Sequence, residues 1–262
     1  VTKVYAFVNQ KGGVGKTTTT ISLAACFADR GQRVLMVDLD PQANATSCLG
    51  VDKRTVRQGT YEVLIGSCPP AAATLRNEQL GLSLIPSSPN LTGAEVELIN
   101  EEQREIRLRD KLQGILESYD YVLIDSPPSL GILTLNALVA AGSGAVIPVQ
   151  CEYLALEGLS QLIQTIRRVR SAFDPKLEIR GVVMTMFDGR TNLGNQVIEE
   201  VRRHFPGKVF DTVIPRSVRL AEAPSHGIPI TLYAPSSLGA LAYRELAEEI
   251  LRSDGAKMPP KG

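Results

Sequence analysis

The sequence predicts an α/β chain built on a doubly wound, mostly parallel sheet with helices on both faces. Three observations carry that expectation. Short β-branched runs alternate with stretches of helical period, which is the rhythm of βαβ units. Several of those runs, Val4–Val8 and Val34–Val37 among them, are apolar almost throughout, as strands covered on both faces are. A glycine-rich turn follows the first run and opens the first helical stretch, so the ligand edge is expected at the carboxyl ends of the strands.

In chain order, strands are expected at Lys3–Val8, Arg33–Val37, Leu82–Ile85, Tyr121–Ile124, Ala145–Val149, Gly181–Met186 and Val209–Ile214. Gly31 sits where the first helix should stop. Thr92, with Glu95 three residues on, reads as a capping box. Leu159, Leu162, Ile163, Ile166 and Val169 recur at helical spacing, as do Leu238, Leu241, Ala242 and Ile250. No repeat, low-complexity tract or long linker interrupts the pattern, so residues 1–252 are expected to form one domain. Ser253–Gly262, with two prolines and little apolar content, is expected to fray.

Composition narrows the function classes. With 44% hydrophobic and 21% charged residues, the chain of 262 belongs with folded globular proteins, not disordered ones. Its apolar runs are far too short to cross a bilayer, and no apolar leader precedes the glycine-rich turn, so a cytoplasmic protein is expected. The four cysteines (Cys26, Cys48, Cys68, Cys151) form no C-x-x-C pair, which argues against a zinc site or a disulfide framework. His204 and His226 stand apart from acidic clusters and read as structural. Basic and acidic residues balance at 28 each, yet Arg167–Arg219 holds 11 Lys/Arg against 6 Asp/Glu, a local excess of 11 − 6 = +5.

The chemistry begins at Gln10-Lys11-Gly12-Gly13-Val14-Gly15-Lys16-Thr17-Thr18. Glycines let successive backbone N–H groups turn inward around phosphate oxygens, and the helix start adds partial positive charge. Lys16 would reach the terminal phosphates of ATP, and the Thr17 hydroxyl would ligate Mg²⁺. The strict G-x-x-x-x-G-K-[ST] pattern fails, because Gln10 holds the first glycine position. The loop instead gains a second cation, Lys11, useful if it reaches a second nucleotide across a dimer. Two strand ends supply carboxylates. Asp125, after four apolar residues, suits Mg²⁺ held through a water; Asp40, ahead of a turn at Pro41, could orient the attacking water, with Asp38 behind it. The expected reaction is in-line attack of water on the γ-phosphate, stabilised by Lys16, Lys11 and Mg²⁺.

Lys11-Gly12-Gly13-Val14-Gly15-Lys16-Thr17, Asp38-Leu39-Asp40-Pro41-Gln42 and Asp125-Ser126-Pro127-Pro128-Ser129 together resemble the deviant-Walker-A P-loop NTPases, most closely the ParA/Soj family of partitioning ATPases. Pro148–Tyr153, Asp188–Asn192 and Pro215–Ser225 extend the likeness over nearly all of Val4–Leu251. The resemblance implies an ATP-dependent sandwich dimer, with Lys11 contacting the partner's nucleotide. It implies binding of double-stranded DNA without sequence preference, and release when a ParB/Spo0J-like centromere-binding protein stimulates weak intrinsic hydrolysis. It further implies that Pro215 and Ser217 flank the adenine, that Arg190 and Arg219 contact DNA phosphate, and that the protein is bacterial, cytoplasmic and nucleoid-associated. With no extension ahead of the loop, the short Soj type is expected. A MinD-like ATPase that cycles on membranes shares the same motifs. It would need an amphipathic C-terminal helix, which Ser253–Gly262 is not expected to form.

Overall fold

In β1 (Lys3–Phe7), Val4 and Ala6 face one helical layer while Tyr5 and Phe7 face the other, because successive strand side chains point to opposite sides. The same alternation along β2 (Val34–Asp38) divides Leu35 and Val37 from Val34 and Met36. A strand that buries both faces must be apolar throughout, which is why these runs read as continuous. The computed structural model describes residues 1–257 except Leu154 and Glu157. With β3 (Leu75–Asn77), β4 (Leu82–Ile85), β5 (Tyr121–Asp125), β6 (Gly144–Gln150) and β7 (Ile179–Thr185), the strands form one seven-stranded sheet in the order β3-β4-β2-β5-β1-β6-β7. Every pairing is parallel except β3 with β4.

Helices α1 (Lys16–Asp29), α2 (Ile132–Ala140), α3 (Leu159–Ala172), α4 (Asn192–His204) and α5 (Leu238–Ser253) are the longest among the described residues. Leu133, Leu138, Leu162, Ile166, Val197 and Val201 of α2, α3 and α4 cover one face. Leu23 and Phe27 of α1, with Tyr243, Leu246 and Ile250 of α5, cover the other. The sheet is therefore doubly wound, as the alternation of elements predicts. From β1 the chain crosses to β2, then returns at β5 to fill the position between them. That return sets the carboxyl ends of β1, β5 and β2 side by side, with Phe7 and Asp38 each in register with Asp125.

Several local expectations change. Val209–Ile214 is no strand: Phe210 N–H and Ile214 N–H do bond to Val182 and Met184 carbonyls of β7, but the Asp211 and Thr212 N–H groups between them donate to the Glu249 carboxylate at 2.8 and 3.1 Å. A helix side chain has captured the Thr212 donor that the ladder with β7 would need. The edge strand β3 is three residues, too short for alternation to register. Thr92 does not cap a helix; that helix starts at Leu91 behind Asn90, with no side-chain cap. The Glu-to-N-cap bond occurs instead at Gly59, whose N–H donates to Glu62 Oε2 at 2.8 Å. Leu238 and Leu241, expected on the apolar stripe of α5, are exposed, and Tyr243, Leu246 and Ala247 form its buried face with Ala242 and Ile250. Gly31 does follow α1, at φ 76°, where a side chain would be strained.

The segment from Ser253, expected to fray, is held as far as Lys257: Ala256 N–H bonds to the Leu251 carbonyl and the Lys257 carbonyl accepts from Gln32 Nε2 at 2.9 Å; residues 258–262 lie outside the described residues. The anchor is Asp254. Its carboxylate accepts from Tyr5 Oη at 2.8 Å, Tyr121 Oη at 3.1 Å and Arg180 Nη2 at 3.1 Å. Arg180 also donates to the Ser253 hydroxyl. Burial, and then the charge on Asp254, push both phenols well above their ordinary range. Asp254→Ala would leave two buried hydroxyls without their acceptor and a half-buried guanidinium without its carboxylate, with only the Ser253 and Tyr5 hydroxyls to accept from it. It should cost about 3 kcal/mol, read as a lowered midpoint of chemical denaturation; a change below about 0.5 kcal/mol would show that water replaces the carboxylate.

Candidate functional site

The glycine-rich loop is held at three points before it meets any ligand. Asn9 Nδ2 donates to the Pro148 carbonyl at 2.8 Å, the Asn9 side-chain oxygen accepts from Lys11 N–H at 3.0 Å, and Thr185 Oγ donates to the Val14 carbonyl at 2.8 Å. Strands β1, β6 and β7 thus fix both ends of the turn. Gly13 at φ 75° and Gly15 at φ 87° occupy the left-handed region, so the glycines are required by conformation. A Cβ built on Gly12 or Gly13 would meet nothing within 4 Å, so open space borders the loop at both.

Lys16 opens α1 and is 7% exposed. Burial lowers its pKa, while the charges of Asp125 and then Asp40 oppose that shift. Thr17 Oγ donates to Asp125 Oδ2 at 2.8 Å, and Thr20 Oγ lies 3.2 Å from Asp125 Oδ1. One buried cation therefore faces the carboxyls of Asp125 and Asp40, with the buried Asp38 beside Asp125 on the adjacent strand end. Such an arrangement needs more positive charge than Lys16 provides. A divalent cation beside Thr17 and Asp125 fits that deficit. Among the described residues no three acidic, Cys or His side chains converge as a metal cage. Mg²⁺ bound through one or two protein oxygens, waters and phosphates does not require one.

Burial raises the carboxyl of Asp38 to about 6, against hydrogen bonds from Thr46 and Asp40 that lower it. Burial and the neighbouring Asp38 charge also push Asp125 upward, opposed by the Thr17 hydrogen bond and Lys16. A carboxyl with a raised folded pKa favours its proton in the native state. Its stabilising contribution is present at low pH and is lost as pH rises from the unfolded value through the folded one. The nucleotide-free protein should therefore lose thermal stability as pH rises from about 4 through about 6, the range fixed by Asp38. A midpoint that stays level or climbs over that range in differential scanning fluorimetry would contradict this.

Beside the loop opens a cavity of about 360 Å³, lined by Gly15, Thr18, Met186, Pro215, Ser217 and Leu220 among others. Pro215 and Ser217, anticipated from the sequence at the base, are on its wall. Met186 and Tyr243, also on the wall, were not anticipated. Met186 stands at φ 54°, unusual for a residue with a side chain, and Tyr243 Oη lies 3.0 Å from Thr19 Oγ. Nothing local in the sequence marks either one; the cavity forms only where β7, the 214–221 segment and α5 meet.

The remaining candidates lie outside this cluster. Lys11 is partly exposed and pairs with Glu152 at 3.6 Å, and Glu152 also meets Arg216 at 3.5 Å. Arg190 pairs with Asp188 at 2.6 Å and Arg219 with Glu222 at 3.0 Å, both guanidinium groups largely in solvent. His226 stacks on Tyr233 with ring centroids 4.7 Å apart, a packing contact. All four cysteines are buried and free. No described helix is long and apolar enough to cross a membrane.

Comparison with known proteins gives a consistent picture. A family model described as an AAA domain matches residues 2–179. The sporulation initiation inhibitor protein Soj of Bacillus subtilis is 54% identical over 95% of this chain and 98% of its own. The chromosome partitioning protein ParA of Myxococcus xanthus is 49% identical over 99% and 91%. A crystal structure from Mycobacterium smegmatis, described as cobyrinic acid a,c-diamide synthase with bound ADP and magnesium, superposes with a TM-score of 0.86 at 39% identity, covering 100% of both chains.

Proposed function

Since the chain belongs to the Soj/ParA family of chromosome-partitioning ATPases, we propose that it is an ATP-switched DNA partition protein. Two Mg-ATP-loaded copies close on each other, bind double-stranded DNA without sequence preference on the bacterial nucleoid, and let go when a ParB-like centromere-binding protein stimulates hydrolysis. The observation that carries this reading is the convergence of Lys16 and Thr17 with Asp125 and Asp40 beneath an open glycine loop.

In this reading the backbone N–H groups of Gly12–Thr18 and the Lys16 ammonium hold the phosphates. Pro215 and Ser217 flank the adenine. Thr17 and, through a water, Asp125 hold the metal. Mg²⁺, when bound, neutralises charge developing on the β- and γ-phosphate oxygens. Asp40 orients the attacking water. Lys11 exchanges Glu152 for the partner's nucleotide, an exchange with little cost because an exposed ion pair contributes about 0–1 kcal/mol. Arg190 and Arg219 meet DNA phosphate. Doubled across the dimer, such contacts add, which is how a chain with equal numbers of acidic and basic residues gains DNA affinity only in the closed state.

The Mycobacterium smegmatis structure favours a second reading, a synthetase that consumes ATP. The higher identity to partition proteins supports the first. DNA co-sedimentation with ATP, ADP or no nucleotide separates the two. Retention with ATP alone is expected. Equal retention in all three states, or none, would defeat the partition reading, and flotation with liposomes under ATP would favour the membrane-cycling alternative.

A further inference from the structure

Asp40 is held by more partners than a strand-end turn requires. Its N–H donates to Asp38 Oδ1 at 3.1 Å, and its Oδ1 accepts from Gln42 N–H at 2.9 Å. Its carbonyl accepts from Ala43 N–H at 2.8 Å and from Ser87 Oγ at 2.7 Å. Ser87 comes from the end of β4, 47 residues along the chain. It is fixed in turn, because its N–H donates to Thr46 Oγ at 2.8 Å. Thr46 Oγ donates to Asp38 Oδ2 at 2.7 Å, and the Thr46 N–H reaches the same oxygen at 2.8 Å. The loop closes on itself: Asp38 to Thr46 to Ser87 to Asp40 and back to Asp38.

Asp38, Thr46 and Ser87 are all 0% exposed and Asp40 is 5% exposed. Water therefore cannot stand in for a lost partner, and each hydrogen bond acts at low dielectric. Buried polar groups must be satisfied somewhere, so mutual satisfaction alone would be unremarked. What singles out this ring is its target. Neither side chain that closes it touches the Asp40 carboxylate; together they fix the backbone from which the carboxylate projects. Ala43, at φ 52°, continues the turn in a conformation strained for a residue with a side chain.

We infer that Thr46 and Ser87 are positioning residues for hydrolysis, holding Asp40 where it can orient the attacking water. This rests on the role given to Asp40 above. Misplacing a water-orienting carboxylate by a fraction of an ångström raises the barrier to the chemical step without weakening nucleotide binding.

The test measures ATP turnover and ATP affinity for the wild type, Ser87→Ala, Thr46→Ser, Thr46→Val and Asp40→Ala, each first shown to keep its thermal midpoint within a few degrees. Ser87→Ala removes one hydroxyl and leaves the Ser87 N–H in place. It is expected to lower kcat about tenfold with ATP affinity within twofold, and Thr46→Val to lower kcat at least as far. Thr46→Ser should recover most of the activity. If Asp40→Ala is inactive while Ser87→Ala turns over at the wild-type rate, the proposal is overturned and the role of Asp40 stands. If kcat and affinity fall in parallel, the ring is merely structural and the proposal is overturned. If Asp40→Ala itself keeps full turnover, the underlying reading of Asp40 fails.

Discussion

Lys16→Ala is expected to abolish ATP turnover, with a loss of at least about 10³, and to remove ATP-dependent DNA retention along with it. Lys16 is the buried cation in a cluster of three buried carboxyls, with Asp125 and Asp40 the charges that act on it. Its ammonium would stabilise charge on the terminal phosphates in a site closed to water, where a preorganised donor contributes far more than in solvent. Its removal has a second effect. Without it, only the loop N–H groups and Mg²⁺ oppose the repulsion between those carboxyls and an incoming triphosphate, so binding weakens as well as chemistry. Phosphate release and binding of a fluorescent ATP analogue would read the two losses separately. Turnover above a tenth of wild type would show that the loop does not bind the phosphates as described.

Arg219→Glu should lower DNA affinity by at least tenfold at moderate salt and leave basal ATP turnover unchanged. Arg190→Glu should do the same. Arg190 pairs with Asp188 two residues before it, and Arg219 pairs with Glu222 one helical turn on and also interacts with Tyr233; each guanidinium is well exposed. Exchange of an exposed carboxylate for a DNA phosphate is nearly neutral for the protein, so phosphate contact is gained at little cost. Each arginine counts twice in a dimer. The slope of log affinity against log salt should then fall by about 2 per substitution, since each lost phosphate contact releases about one fewer counterion. Arg219→Ala separates loss of the cation from the repulsion that a new glutamate would feel from Glu222. Undiminished retention of both reversed variants would mean that DNA is held by another face.

Much of the site could be read from short segments because its chemistry is local. A glycine loop that turns its N–H groups inward needs only successive residues, so Gly12–Thr18 announces a phosphate site whatever surrounds it. Asp125 is recognisable because it ends an apolar run and Asp40 because it stands just past another, ahead of the turn at Pro41, and a parallel sheet brings such ends to one edge. Residues drawn together from several distant segments gave no such signal. Thr46 and Ser87 carry no pattern linking them to Asp38 or Asp40, and Glu152 none linking it to Lys11.

The sequence by itself therefore determined the layered α/β architecture, the phosphate loop and the carboxylates that face it. Each follows from periodicity or from backbone geometry over a few residues. Only the tertiary structure decided which distant hydroxyls fix the Asp40 backbone, which residues wall the cavity beside the loop, and that Glu249 of α5 takes the Asp211 and Thr212 donors of the run expected as the last strand. Those outcomes depend on strand order and on which helix side chain comes within hydrogen-bond reach. Both emerge only when the whole chain packs, because a hydrogen bond is decided by distances of a few tenths of an ångström that sequence spacing does not encode.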